Sequence, residues 1–174
     1  MRKLKTHELN RLTVDEFKNT DKIPLIVVLD NIRSMNNIGS VFRTSDAFKV
    51  KAVYLCGITA CPPHKDIQKT ALGATESVEW KYFKNTIDAI TELKSEGFLI
   101  ASVEQAEGSV GIDDIDCTKP VAVVMGNEVK GVEQKVIDAS NYCLELPQYG
   151  TKHSLNVSVC AGIVIWELFK KMNF

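Results

Sequence analysis

With 174 residues, 45% apolar and 25% charged, the chain has room for one domain with a full core and an ordinary globular composition. A net charge of −1 excludes a protein that coats nucleic acid through a broad positive field, but leaves room for a local basic patch. No apolar run approaches the roughly 20 residues of a membrane span, and the basic start Met1-Arg2-Lys3-Leu4-Lys5 is not followed by the apolar stretch of a secretory leader, so the cytoplasm is the expected location.

Residues 1–22 are expected to form a short basic, helical extension of a single domain spanning 1–174. Arg2, Lys3, Lys5 and Arg11 cluster there, as an RNA contact or as a solvated terminus. Thr13 is placed to cap a helix near Val14-Asp15-Glu16-Phe17. The run 25–29 reads as a buried strand. Ile38, Val41, Phe42 and Phe48 mark one face of a helix over 37–48, with Asn36 or Asn37 as cap. A second strand is expected at 52–56, a helix at 86–94 stopped by Gly97, a third strand at 98–103 and a fourth at 121–125. A short helix over 132–139 and a fifth strand at 142–146 follow. A last helix over 154–171 carries Leu155, Val159, Gly162, Ile163, Trp166 and Phe169 on one side. Val- and Ile-rich strands alternating with helices predict an α/β domain with a mainly parallel sheet flanked by helices. Ligands of such sheets sit at the carboxyl ends of the strands.

The five cysteines are widely spaced and odd in number, which does not suggest a disulfide framework. Cys56, Cys61 and His64 could supply three metal ligands, but the spacing lacks a convincing fourth. Buried or loop thiols without metal are the expected reading. The sequence has no G-x-G-x-x-G after a strand, no P-loop, no G-x-S-x-G elbow and no H-E-x-x-H helix.

Three polar, Gly- and Asn-rich segments each follow a strand: 31–43, 126–131 and 147–156. In the first, Gly39 and Arg43 are four apart and share a helix face, with the glycine expected to leave space beside a guanidinium that can fork onto a phosphate or carboxylate. In the second, Gly126 and Asn127 make a tight turn whose free backbone N–H groups can hold a ligand edge, and Glu128 can orient a partner. In the third, Ser154 stands where a helix cap is expected and Asn156 falls in the first turn. Ser158, Ala161 and Gly162 let a neighbour come close. Each segment alone is equally well an ordinary strand-to-helix loop.

In this order and spacing they resemble the three motifs of the SpoU/TrmH family of SPOUT methyltransferases. N-x-G-x-x-x-R-T falls at Asn37, Gly39, Arg43 and Thr44, G-x-E-x-x-G at Gly126, Glu128 and Gly131, and P-x-x-G with S-L-N-V at Pro147, Gly150 and 154–157. One departure is Ser34-Met35, where many members have Asp-Pro. The resemblance implies a C-terminal trefoil knot, a homodimer, and S-adenosylmethionine-dependent 2′-O-methylation of an RNA ribose, without membrane or metal. It implies cofactor contacts at Val103, Glu104, Met125, Gly126, Leu146, Gln148, Ser154 and Leu155. Arg43 would take the central catalytic role, oriented with the ribose by Asn37, Glu128, Ser154 and Asn156. Arg33, Arg43, Lys152 and His153 would contact RNA. Val103-Glu104-Gln105 with Ser109, and Ile165-Trp166-Glu167, look closest to the tRNA guanosine-18 branch. Ribosomal RNA methylation and a non-catalytic knotted RNA-binding module are the alternatives.

Overall fold

The computed structural model describes residues 1–173. Strands β1 (Ile23–Asp30), β2 (Val50–Cys56), β3 (Glu79–Phe83), β4 (Leu99–Val103), β5 (Val121–Met125) and β6 (Tyr142–Leu144) form a parallel sheet in the order β3-β2-β1-β5-β4-β6. The helices are α1 (Val14–Asn19), α2 (Met35–Ala47), α3 (Lys65–Ala71), α4 (Ala74–Ser77), α5 (Thr86–Ser95), α6 (Gln134–Asp138) and α7 (Val157–Asn173). The central strands are covered on both faces. Val27, Leu29, Val53 and Leu55 join a core with the inward faces of α2, α3, α4 and α7. Ile26, Val28, Ile100 and Val124 join a second core with α5 and α6. This is the parallel α/β architecture expected from continuous apolar strands.

Several expectations need correction. The cap of α2 is Ser34, whose Oγ accepts from Asn37 N at 3.3 Å, and not Asn36 or Asn37. The helix therefore starts earlier than 37, and the Asn37 side chain is released for other bonds. The last helix starts at Val157, not 154, because Asn156 is its cap: Asn156 Oδ1 accepts from Ser158 N at 2.9 Å and Val159 N at 3.3 Å. Ser154 lies in the exposed segment before it. The strand placed at 142–146 ends at Leu144, close to Pro147, which has no N–H to offer a ladder. Strand β3 escaped the sequence reading because its Glu-Trp-Lys-Tyr-Phe run lies at the sheet edge, exposed or half-buried throughout, and has no apolar period. Short α3 and α4 escaped because they span only seven and four residues, too few to set up an apolar helical period.

The buried face of α7 is Val157, Ala161, Val164, Ile165 and Leu168. Val159, Ile163 and Trp166, with Leu155 just before the helix, form an exposed apolar stripe. Of the small residues expected to admit a neighbour, Ala161 is in the core, while the α-carbon of Gly162 faces open space. At the end of the helix, Lys171 Nζ donates to the carbonyls of Ile112 (3.2 Å), Asp113 (2.7 Å) and Ile115 (3.0 Å). An ammonium satisfied by three carbonyls fixes α7 to the segment between β4 and β5.

Gly39 does not leave room beside Arg43. A Cβ there would lie 2.2 Å from both Ile67 O and Thr70 Oγ1, so the missing side chain is filled by the backbone of α3. Thr70 Oγ1 reinforces the contact by donating to Asn36 O at 2.9 Å. Gly39→Ala is predicted to destabilise the fold by about 1–3 kcal/mol, the usual cost of overpacking, read as a lower urea midpoint. An unchanged midpoint contradicts this packing.

Candidate active site

The carboxyl ends of β4, β5 and β6 and the segment leading into α7 enclose a crevice of about 610 Å³, within the range that holds a cofactor-sized ligand. All eight residues expected to contact a cofactor line it: Val103, Glu104, Met125, Gly126, Leu146, Gln148, Ser154 and Leu155. Each wall is fixed by its own backbone bonds. Asn127 and Gly131 exchange N–H···O bonds of 3.1 and 2.9 Å, and Asn127 Oδ1 accepts from Val129 N and Lys130 N at 2.9 and 3.0 Å. The turn is so tight that a Cβ on Gly126 would lie 2.3 Å from Val132 N. Glu104 accepts from Gln105 N and Val132 N, both at 2.9 Å, and Gln105 Nε2 donates to His153 O at 2.7 Å. The last bond closes the segment before α7 onto the loop after β4.

A second set of bonds joins the three motif segments. The Glu128 carboxylate accepts from Arg33 N and Ser34 N at 2.9 Å each, and from Asn37 Nδ2 at 3.2 Å. Asn37 Oδ1 accepts from Asn156 Nδ2 at 3.2 Å, while Asn156 caps α7. One chain of side chains thus runs from the turn after β5, through the start of α2, to the start of α7. Partial desolvation pushes the Glu128 carboxyl up, but the Arg33 and Ser34 N–H donors and Asn37 outweigh it and hold it below the ordinary 4.5.

Electrostatics separate the candidate residues into two groups. The crevice is lined by four acids, Glu104, Glu107, Glu128 and Glu145, against Lys130 and His153. That field suits a ligand carrying positive charge and disfavours a phosphate. Arg43 does not line the crevice. It borders a second cleft of about 650 Å³, with Arg11, Lys49, Asp46 and Glu76. Its exposed guanidinium is engaged by no hydrogen bond or ion pair among the described residues. Asn37, Glu128 and Asn156 therefore bind one another and two helix starts, and do not hold the Arg43 of their own chain. Ser154 reaches the crevice but not that chain of bonds. Arg33 is exposed and uses only its backbone N–H on Glu128, Lys152 is exposed outside the crevice, and His153 lines it.

The cysteine and histidine set does other work. His64 Nδ1 caps α3 by accepting from Asp66 N at 3.2 Å, and burial pushes the Cys56 thiol up to about 12. Among the described residues, no three His, Cys, Asp or Glu side chains are grouped to hold a metal. Sequence reading missed Asn127 and Gln105 as the wall bonds, and Val132, Ile137 and Cys160 as apolar lining. The Gly126-Asn127 pair marks the turn in the sequence, but not the backbone N–H groups that the Asn127 side chain takes.

The fold and crevice define a class: parallel α/β domains whose ligand site is built from loops at the carboxyl edge of the sheet. The chain belongs to the SpoU rRNA Methylase family, whose signature matches residues 24–166. It is 32% identical over 149 residues to the tRNA (guanosine(18)-2′-O)-methyltransferase of Aquifex aeolicus, covering 82% of this chain and 67% of that one. It is 29% identical over 161 residues to a TrmH family tRNA/rRNA methyltransferase of Staphylococcus saprophyticus, covering 92% of this chain but 64% of that protein. Thus the chain spans about two thirds of the length of these relatives. The crystal structure of the A. aeolicus TrmH/SpoU tRNA modifying enzyme superposes with a TM-score of 0.81 at 29% identity, covering 91% of this chain and 80% of that one. An S-adenosylmethionine-bound rRNA methyltransferase from Sinorhizobium meliloti gives 0.81 at 27% identity, covering 92% and 60%.

Because the folded Glu128 carboxyl is held below 4.5, its contribution to stability is complete above that value and is lost as pH falls through the lowered one. The difference in urea midpoint between the wild type and Glu128→Gln is predicted to be largest near neutral pH and to vanish in acid. A difference that stays constant through the titration contradicts the assignment.

Proposed function

We propose that the chain transfers a methyl group from S-adenosylmethionine to a ribose 2′-hydroxyl in RNA, with tRNA as substrate, and that it acts as a homodimer. The observation that carries this reading is the crevice walled by the second and third motif segments, to which Glu128, Asn37 and Asn156 tie the first. The relatives named for tRNA and rRNA methylation, and the S-adenosylmethionine-bound neighbour, support the substrate class and cofactor. The acid-lined crevice suits a sulfonium cation, and its volume suits the whole cofactor. When bound, the cofactor supplies an electrophilic methyl group.

This chain's residues supply the rest. Backbone groups at Val103, Met125, Gly126, Leu146 and Leu155 are placed to hold the cofactor, with Glu104, Gln148 and Ser154 beside them. Arg43 serves as a clamp for phosphate and developing alkoxide charge, a role its guanidinium suits better than that of a base. Arg33, Lys152 and His153 serve as RNA contacts, His153 from the crevice lining, and the basic segment 1–22 contributes Arg11 to the Arg43 cleft. The knot implied by the family is part of this reading. The pairing of Val110 with Leu144, and the clamp of Lys171 on 112–115, support it by joining the last strand and last helix to the segment that follows β4.

Arg43 lies outside its own crevice, so the reading requires a second copy. The exposed stripe of α7 begins just before the helix at Leu155, in the crevice wall, and ends at Trp166, 5.3 Å from Phe48 just after the helix that carries Arg43. A two-fold pairing of this stripe sets the crevice end of one copy against the Phe48 end of the other.

Arg43→Ala is predicted to bind S-adenosylmethionine normally and to lose most transfer of tritiated methyl to bulk tRNA. Leu146→Arg, which puts a cation in the crevice, is predicted to be inactive by losing the cofactor. Co-expression of the two is predicted to restore transfer, because the mixed dimer carries one intact crevice facing one intact Arg43. Near-normal turnover by Arg43→Ala, or no recovery in the mixture, contradicts the shared site. Nuclease digestion and mass spectrometry of the product separate methylated ribose from methylated base. Label entering ribosomal RNA alone selects that substrate, and absence of any transfer leaves a binding module.

A further inference from the structure

We infer that the aromatic edge of the sheet, Trp80 and Tyr82 of β3 with Lys84, is a stacking ledge for an unpaired base of the RNA beside the methylated nucleotide. The inference rests on the proposed RNA methylation and extends it to residues outside the crevice and the Arg43 cleft.

The run Trp80-Lys81-Tyr82-Phe83-Lys84 interleaves aromatics with lysines. Trp80 and Tyr82 are two apart on a strand, so both project from the same face. Their neighbours in register, Val53 and Leu55, are fully buried, yet the edge rings remain 37% and 47% exposed. Neither ring is paired with another aromatic ring among the described residues. An aromatic pair held on a strand with a nearby cation is the arrangement that binds single-stranded bases with little sequence preference.

The ledge is fixed and is continuous with the crevice. Tyr82 Oη donates to Gly57 O at 3.0 Å, anchoring the ring over the turn after β2. Ile58, next in that turn and 65% exposed, donates its N–H to Asn31 Oδ1 at 3.2 Å. Asn31 O accepts from Asn127 Nδ2 at 2.6 Å, and Asn127 makes the crevice lip. A run of hydrogen-bonded residues therefore crosses from the crevice to the sheet edge along the carboxyl ends of β5, β1, β2 and β3. Three inter-strand steps make that distance about 14 Å, within reach of a few nucleotides. Lys81 is occupied by Glu92 at 2.6 Å, whereas exposed Lys84 has no ion pair or hydrogen bond among the described residues and is free for a phosphate. The crevice, with its four acids, offers no such place for the flanking backbone.

The test compares wild type, Trp80→Ala/Tyr82→Ala and Trp80→Phe/Tyr82→Phe on radiolabelled bulk tRNA. The alanine pair is expected to raise the tRNA dissociation constant and KM roughly 10-fold or more, as the loss of base stacking does. S-adenosylmethionine affinity and kcat at saturating tRNA should hold, and the phenylalanine pair should stay near the wild type. In a Trp166→Phe background Trp80 is the remaining tryptophan, and tRNA should quench its emission. If the wild type binds and methylates tRNA and the folded alanine pair matches it, the ledge is wrong while the proposed function stands. An alanine pair with unchanged tRNA affinity but altered oligomeric state makes the edge a protein contact and also overturns the inference. A wild type that neither binds nor methylates tRNA overturns the function and the ledge together.

Discussion

The candidate site depends on one hydrogen-bonded chain, Glu128 to Asn37 to Asn156. Its members lie 91 and 119 residues apart along the sequence, yet they meet side chain to side chain at 3.2 Å. Each is also tied to backbone. Glu128 takes the N–H groups of Arg33 and Ser34 just before α2, and Asn156 takes those that open α7. Orphan N–H groups at helix starts need acceptors, and carboxylates and amides supply them. The same bonds that cap two helices therefore set the relative position of three loops. The crevice walls follow from that positioning, because Gly126, Leu146 and Leu155 belong to those loops.

Charge explains why the site is divided. A cationic ligand and an anionic backbone want opposite fields. The chain lines one cleft with four acids and sets Arg11, Arg43 and Lys49, beside Asp46 and Glu76, around another. In a single copy the two clefts share no lining residue. A second copy, as proposed, would bring Arg43 to the acid-lined crevice without either field weakening the other in the free chain.

Much of the architecture is legible in the sequence. The central strands are continuous apolar runs, and β5 falls where its Val-rich run predicts, because strands buried on both faces show a strong signal. The edge strand β3 has no such signal, since its environment is solvent. Helix ends are read less well than helix bodies. Asn37 and Ser154 both have the chemistry of a cap, but Ser34 and Asn156 fill that place, because spacing does not say which of two polar neighbours turns inward. Gly39 illustrates a deeper limit of pattern. A glycine four residues before an arginine looks like space for a ligand, and only the approach of α3 shows that backbone fills it. The eight crevice residues followed from the family resemblance and converge in space. The Gln105 bond to His153 and the Asn127 bond to Asn31 depend on contacts between distant loops, which local pattern does not encode.

The most direct test of this account is a double-mutant cycle between Glu128→Gln and Asn156→Ala, read as S-adenosylmethionine affinity by calorimetry. The two side chains share Asn37 as intermediary. A coupling of about 0.5–3 kcal/mol is predicted, and it should disappear when the cycle is repeated with Asn37→Ala. Strict additivity in the wild-type background would show that the three loops are positioned independently, and would contradict the account.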